Sequence, residues 1–283
     1  MQTASQFFSI SPDRITAHEE ARFFTWLKTG NATFKRTQPG RFREIDAAVL
    51  HEIAKVDGAL GDILDIGISS GTTTLELLGA AKAAGHDPRV TATDRSLAAL
   101  LVCWPLGFSA LLEPQGHVLQ YGVFGWPLRA WRRRLDYLTG MVLVQKLAQA
   151  TIGRAARRAV ECGRGRDVAL VSPRLASAKG VELVEDDVTQ RNPAFRRRYD
   201  FVRAANILNR DYFDESILRQ AAANLISYLR GPGSWLFVIR TLEDGQQHGT
   251  LFRQRGADGL AVVHRFGRGS EIEPLVLESS VQC

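Results

Sequence analysis

Cysteine is scarce: the 283 residues contain three, at positions 103, 162 and 283, with no C-x-x-C pair. An odd, scattered set excludes a disulfide framework and a thiolate zinc site, and fits a reducing compartment. No apolar run reaches the roughly 20 residues needed to span a bilayer as a helix. The longest, LAALLVCWPLGFSALL from Leu97, is broken by Pro105 and Gly107. The opening MQTASQFFSISPDRITAHEE lacks the basic start and continuous apolar block of a secretory signal, so a cytoplasmic location is expected. Internal repeats and low-complexity tracts are missing too, and at 45% hydrophobic and 23% charged the chain is neither disordered nor collagenous. What remains is a globular chain long enough for a large core.

Its charge is unevenly placed. The chain carries 36 basic and 30 acidic residues, yet Leu97 to Lys179 alone holds twelve of the former and four of the latter. One segment therefore supplies the whole basic excess. Such a patch attracts anionic lipid, nucleic acid or an acidic substrate, although a solvated helix face is the commoner meaning of a charge run.

The organising pattern starts at DILDIG, a short apolar run that ends in Asp65 and Gly67 and is followed by ISSGTTT and LELLGAAKAAG. This predicts a strand, a tight turn and a helix whose start the hydroxyls of Thr72 to Thr74 can cap and which Gly85 stops. RVTATD predicts a second strand ending at Asp94, completing a β-α-β unit with parallel neighbouring strands. VELVEDDV and YDFVRAANIL repeat the rhythm, the second ending at Asn206. A helix is predicted between Asp214 and Arg230, then a strand in SWLFVIRT, a hairpin from HGTLFRQ and LAVVHRF around RGADG, and a short final strand at PLVLES. Upstream, Phe42, Ile45, Val49, Ile53 and Val56 share one helical face. Alternating strands and helices closing in a hairpin imply an α/β fold, a doubly wound, mostly parallel sheet with helices on both faces.

In such a sheet ligands bind at the strand ends, where the first loop and helix N-terminus present backbone N–H groups. The loop here does not have the G-x-G-x-x-G spacing of dinucleotide enzymes, and an acid at its start suits a ligand with ammonium or sulfonium charge, or hydroxyl donors, better than a pyrophosphate. The stretch Asp65-Ile66-Gly67-Ile68-Ser69-Ser70-Gly71 resembles the first motif of class I S-adenosylmethionine-dependent methyltransferases, acid-x-Gly-x-Gly-x-Gly, with Ser69 in place of the middle glycine. The resemblance extends through Asp94, Asp187 and Asn206 in the family's order and covers roughly residues 42 to 280 apart from the Leu97 segment. It implies a Rossmann-like seven-stranded sheet and S-adenosyl-L-methionine as cofactor, with Asp65, Gly67, Ser69 and Gly71 in the binding loop. It further implies that Asp94, followed by Arg95, holds the ribose hydroxyls, that Asp187 and the Val188 backbone meet the adenine, and that Asn206 lies beside the position of methyl transfer. RAANILNRDYFD resembles in particular the chemotaxis-receptor methyltransferases and their small-molecule relatives.

Taken singly, each of these residues has an ordinary reading, as strand-end carboxylate, helix cap or turn residue. It is their order at successive strand ends that points to a cofactor. No catalytic residue is assigned: His248 begins the hairpin, but a lone turn histidine is more often structural, and His117 and His264 have less to recommend them. No metal is expected.

The domain plan that follows is an N-terminal helical cover over 1–40 and a methyltransferase domain over 41–283, carrying a helical insertion over 97–180. The insertion is expected to decide the methyl acceptor. AWRRRLDYLTGMVLVQKLAQATIGRAARRA reads as a basic amphipathic helix with Trp126 and Trp131 at its beginning, a pattern found on membrane-surface helices; a lid over the crevice or a contact with a second subunit is the preferred alternative. Nucleic acid is disfavoured because the aromatics are not spaced as a stacking platform. The expected activity is methylation of an oxygen, a carboxylate oxygen included, on a small apolar or amphipathic metabolite. A protein carboxyl methyltransferase, a non-catalytic S-adenosylmethionine-binding protein at the membrane periphery and a Rossmann dehydrogenase stand as alternatives.

Overall fold

The computed structural model describes residues 1–35, 37–56, 60–256 and 259–280. The chain opens with α1 (Ala4–Phe7), α2 (Ala17–Phe24) and α3 (Arg43–Ala54), followed by β1 (Asp62–Ile66), α4 (Thr72–Ala83) and β2 (Arg89–Asp94). Next come β3 (Ala98–Trp104), β4 (Phe108–Leu112), β5 (Val118–Val123), β6 (Trp126–Arg129), α5 (Arg134–Leu138), α6 (Met141–Ala148), α7 (Arg154–Glu161), β7 (Arg166–Ala169) and α8 (Pro173–Ala176). The remainder is β8 (Val181–Glu185), β9 (Phe201–Ala205), α9 (Glu215–Tyr228), β10 (Trp235–Thr241), β11 (Gln247–Gln254), β12 (Leu260–Phe266) and α10 (Glu273–Ser280).

These elements divide into two compact units. One comprises Gly40–Ile68, Thr73–Arg95 and the chain from Ala178 onward; the other comprises Met1–Pro39, Ser69–Thr72 and Ser96–Ser177. The first of these, the parallel unit, holds a seven-stranded sheet in the order β12-β11-β10-β9-β1-β2-β8. From β10 to β8 all pairings are parallel, whereas β11 and β12 add an antiparallel hairpin at one edge. This is the doubly wound, Rossmann-like sheet expected, with β1 at the centre of its five parallel strands and buried along its whole length. Two residues of the hairpin turn, Ala257 and Asp258, lie outside the described residues.

Local signals act as read at several points. Asp214 caps α9 by accepting from Ile217 N at 2.9 Å, and Leu218, Ala221, Ala222, Leu225 and Tyr228 form its buried stripe. The segment PLVLES, expected to be a strand, is instead within α10. Its buried residues, Leu275, Val276, Ser279 and Ser280, recur at helical rather than alternate spacing.

The second unit departs further from expectation. The insertion is not purely helical: it contains a five-stranded antiparallel sheet, β6-β5-β4-β3-β7, with helices α5 to α8 around it. LAALLVCWPLGFSALL folds as two strands joined by a turn in which Gly107 has φ 75° and a Cβ would come within 2.6 Å of Gly125 N. Both faces of this sheet are covered. Ala99 and Leu101 pack with Phe7, Phe23, Phe24 and Leu27 of the N-terminal segment, and Val102, Ala110 and Leu112 pack with Ala148 and Ala156. A strand buried on both sides has no polar alternation, so its sequence reads as an unbroken apolar run. The single basic amphipathic helix expected after it is three helices. Gly140 in a left-handed conformation separates α5 from α6, and a π-helical turn over Gln149–Gly153 joins α6 to α7. Trp126 belongs to β6 rather than to a helix.

Candidate functional site

The carboxyl ends of β1, β2, β8, β9 and β10 form the edge where the sequence places its candidate residues. The chain leaves β1 through Gly67 and Ile68, whose N–H groups both donate to Thr93 O, at 2.8 and 3.1 Å, tying the loop to the end of β2. Positive φ recurs at alternate residues: 72° at Gly67, 56° at Ser69 and 77° at Gly71. That recurrence is the physical reason a glycine is favoured at each, and at Ser69 the chain adopts the left-handed region without one. Gly67 is also constrained by space, since a Cβ would lie 2.8 Å from Ile207 Cδ1. Ser69–Thr72 clusters with the second unit. There Ser70 O accepts from Ser172 N at 2.7 Å, the buried Lys35 Nζ donates to Ser69 O at 3.4 Å, and a Cβ on Gly71 would meet Leu175 at 2.2 Å.

Asp65 has a different position from the one its charge suggested. Its Oδ1 accepts from Arg203 Nε at 2.9 Å, and its Oδ2 from Arg203 Nη2 and Thr74 Oγ1, each at 2.7 Å. Arg203 Nη1 also bonds both oxygens of Asp46, at 2.9 and 2.7 Å, and its Nη2 reaches Thr73 O at 3.1 Å. All three ionised side chains are buried. Burial opposes the charge on Arg203, yet Asp46 and Asp65 outweigh it and hold the guanidinium above its ordinary range. Burial pushes the Asp46 carboxyl up, against the pull of Arg203. With both oxygens of Asp65 satisfied, its carboxylate fixes the end of β1 to the start of α4 rather than presenting a negative charge to a cation in the loop. Thr74, expected to cap the helix, is turned to Asp65 instead.

At the other strand ends the opposite holds: polar atoms are buried and unsatisfied. Thr93 Oγ1, Asp186 Oδ2, Asn206 Nδ2 and Thr241 Oγ1 are all buried and find no hydrogen-bond partner within the protein. They sit at or just beyond the last residues of β2, β8, β9 and β10. An unsatisfied buried polar atom costs about 1–3 kcal/mol, and four of them lie along this sheet edge. Asn206 shows how such a group is aimed. It has φ 59°, its N–H donates to Ile239 O at 2.8 Å, and its Oδ1 accepts from Thr241 N at 2.5 Å, which commits Oδ1 and leaves the amide nitrogen to donate.

Asp94 ends β2 half-buried, and its carbonyl accepts from Asp186 N at 3.1 Å. Of the two aspartates in VEDDV, Asp187 is engaged within the protein: Oδ1 accepts from Thr189 N and Oγ1 at 3.0 and 2.8 Å, and Oδ2 lies 3.4 Å from Arg95 Nε. Val188 is buried in the core, and its carbonyl accepts from Asn224 Nδ2 at 2.9 Å. It is Asp186 that keeps an unsatisfied oxygen; burial raises its pKa, Asn192 opposes the rise and Asp187 adds to it. The structure thus brings Gly67, Asp94, Asp187, Asn206 and Arg95 to one sheet edge, and adds Thr93, Asp186 and Thr241, which sequence reasoning passed over. Thr93 had a legible signal, as the polar residue before a strand-end acid. Arg203 had none.

Beyond Thr241, a cleft of about 380 Å³ opens at the β10–β11 turn, lined by Arg240, Leu242, His248, Arg268 and Glu271 among others. Arg240 is paired with Glu271 at 2.6 Å and with Asp211. His248 Nδ1 accepts from Arg268 N at 2.7 Å, so a neutral ring carries its proton on Nε2.

No family model matches the chain, and no curated protein matches it. Solved structures do. N-methyltransferase NodS from Bradyrhizobium japonicum WM9, in complex with S-adenosyl-L-homocysteine, is 16% identical over 78% of this chain and 72% of its own, with a TM-score of 0.36. The citrinin polyketide synthase CMeT domain is 14% identical with a TM-score of 0.38, the match covering 71% of this chain but only 35% of that one. The plantazolicin methyltransferase BpumL, in complex with SAH, is 10% identical over 85% of this chain and 56% of that one, with a TM-score of 0.36.

Proposed function

We propose that this protein is an S-adenosylmethionine-dependent methyltransferase acting on a small apolar or amphipathic metabolite, with oxygen, including a carboxylate oxygen, as the first candidate acceptor atom. The observation that carries this reading is the row of buried, unsatisfied polar atoms on Thr93, Asp186, Asn206 and Thr241, at the carboxyl ends of strands adjoining a glycine loop. An adenosine joined to an amino acid offers many hydroxyl, amino and ring-nitrogen partners, and such a donor and acceptor set fits it. A nicotinamide dinucleotide would also need its pyrophosphate accommodated, for which the loop lacks the G-x-G-x-x-G spacing.

When bound, the cofactor supplies a methyl group on a positively charged sulfur. The chain's own work is to bind, orient and exclude water. Asp94 accepts from vicinal hydroxyls, Asp186 Oδ2 accepts from an amino group or shares a proton with a ring nitrogen, and Thr93 fills in between. Asp65 acts through Arg203 and Thr74 by holding the loop. Asn206 and Thr241 mark the end nearest the acceptor, and the cleft beside Arg240 and His248 is the acceptor's approach. In-line methyl transfer depends chiefly on alignment and desolvation, so no residue is required as a base when the acceptor is a carboxylate.

Titration calorimetry with S-adenosylmethionine and S-adenosylhomocysteine tests the cofactor assignment. Both should bind, and Asp94→Ala should weaken them at least tenfold. Tight NADH binding with no response to either compound overturns it. Transfer of a labelled methyl group into a metabolite extract distinguishes an enzyme from a protein that only binds the cofactor.

A further inference from the structure

Helix α6 carries apolar side chains on both its buried and its exposed face. Its inward face consists of Val142, Gln145 and Ala148, all buried, with the Gln145 amide donating to Trp131 O at 3.2 Å and Arg129 O at 3.4 Å. Its outward face carries Leu143, Val144 and Leu147, which are 70%, 47% and 64% exposed. Helix α5 extends the apolar surface with Leu135 and Leu138, exposed at 62% and 84%. The outward face of a surface helix is ordinarily polar, so an apolar patch of this kind marks a contact.

The charge around the patch identifies what it contacts. Arg132, Arg134, Lys146, Arg154 and Arg158 are all exposed, and among the described residues none is in an ion pair. From Ala130 to Val160 there is a single acid, Asp136, and it is buried against Arg129 at 2.7 Å. A second copy docked face to face would bring these uncompensated cations together, which disfavours a symmetric dimer through this surface. Apolar side chains surrounded by unpaired cations are instead complementary to a bilayer with anionic headgroups, the leucines entering the acyl boundary and the cations meeting phosphates. Among the described residues no helix is long and apolar enough to cross a membrane, so the contact is with the surface.

We propose that α5 and α6 form a docking surface for anionic lipid membranes, with Leu143, Val144 and Leu147 as the inserted residues and the flanking arginines and lysine as headgroup ligands. This holds whether or not the protein transfers methyl groups. The test is co-sedimentation of the whole protein with phosphatidylcholine vesicles containing 30 mol% phosphatidylglycerol, and with vesicles of phosphatidylcholine alone, alongside sedimentation velocity without lipid. Binding to the anionic vesicles should exceed binding to the neutral ones at least tenfold. L143S/L147S, which leaves the charge unchanged and alters only exposed positions, should lose about tenfold in partitioning with an unaltered circular dichroism spectrum. R132S/R134S should also weaken binding and flatten its dependence on salt. No partition into anionic vesicles overturns the proposal. So does L143S/L147S binding like the parent, and so does a self-association that L143S/L147S disperses without any lipid binding, which assigns the surface to a second copy.

Discussion

The carboxyl edge of the parallel sheet and the outer face of α6 fail the ordinary rules of folding in opposite ways. At the sheet edge, Thr93, Asp186, Asn206 and Thr241 bury polar atoms that no other protein atom satisfies. On α6, apolar side chains point into water while a glutamine is buried behind them. Each departure is unfavourable in the isolated chain. The occupants proposed above are a small polar ligand for the first and an anionic membrane surface for the second. A third region, the buried Asp46–Arg203–Asp65 cluster, looks functional by its charge but is fully satisfied internally. The lesson is that unmet demand, not charge alone, separates a binding site from a structural support.

The sharpest way to break this contrast is at Arg203. Arg203→Met leaves the buried carboxylates of Asp46 and Asp65 without their counter-charge and should destabilise the protein by about 3–5 kcal/mol, read as a loss of urea midpoint. If Asp65 served the ligand rather than the fold, the stability loss would be small and the loss of cofactor affinity large.

Thr93→Val should behave in the reverse sense. Removing a buried hydroxyl without a partner should leave the urea midpoint unchanged or slightly raised, while S-adenosylmethionine affinity falls about tenfold, or roughly 1.4 kcal/mol. Asn206→Ala should weaken affinity too, with some loss of stability because its Oδ1 also holds Thr241 N. A Thr93→Val protein that loses stability but not affinity would mean that the sheet edge is not the binding site.

At Ser69, substitution by glycine should relieve a left-handed conformation and stabilise the fold by up to about 1 kcal/mol, less the flexibility glycine adds to the unfolded chain. The smallest effect expected is a change with pH at Asp136. The Arg133 backbone N–H and the Arg129 guanidinium hold its carboxyl below the ordinary value, against the opposing effect of burial. The stability it contributes is therefore complete above the unfolded pKa of about 3.9 and is lost as the pH falls through the lower folded value. Asp136→Asn should flatten the acid side of the stability profile, measured by urea midpoints between pH 5 and pH 2.

The parallel sheet was legible because its signals are local. A short apolar run ending in an acid, then a glycine turn and a helix with a cap, is specified within a few residues, as at DILDIG and at Asp214 above α9. The insertion was not, because β3 and β4 are covered on both faces and their residues lose the alternation that announces a strand. The sequence of α10 suits strand or helix equally, since eight residues with a short apolar run fit either form, and burial beside α9 decides for the helix.

The candidate site divides along the same line. Its sequence determined which residues stand at the strand ends: Gly67, Asp94, Asp187 and Asn206 each follow from the end of an apolar run. Only the tertiary structure decided which of their atoms are available. Arg203 meets Asp46 across 157 residues of sequence and Asp65 across 138, and this pairing engages both oxygens of the acid that starts the loop. In VEDDV the two adjacent aspartates are chemically identical in sequence, and the neighbours Arg95 and Thr189 occupy Asp187 while Asp186 keeps an oxygen without a hydrogen-bond partner in the protein. Local periodicity fixes where a side chain begins; which partners reach its polar atoms depends on chain segments far apart in sequence, and on the low dielectric they create together.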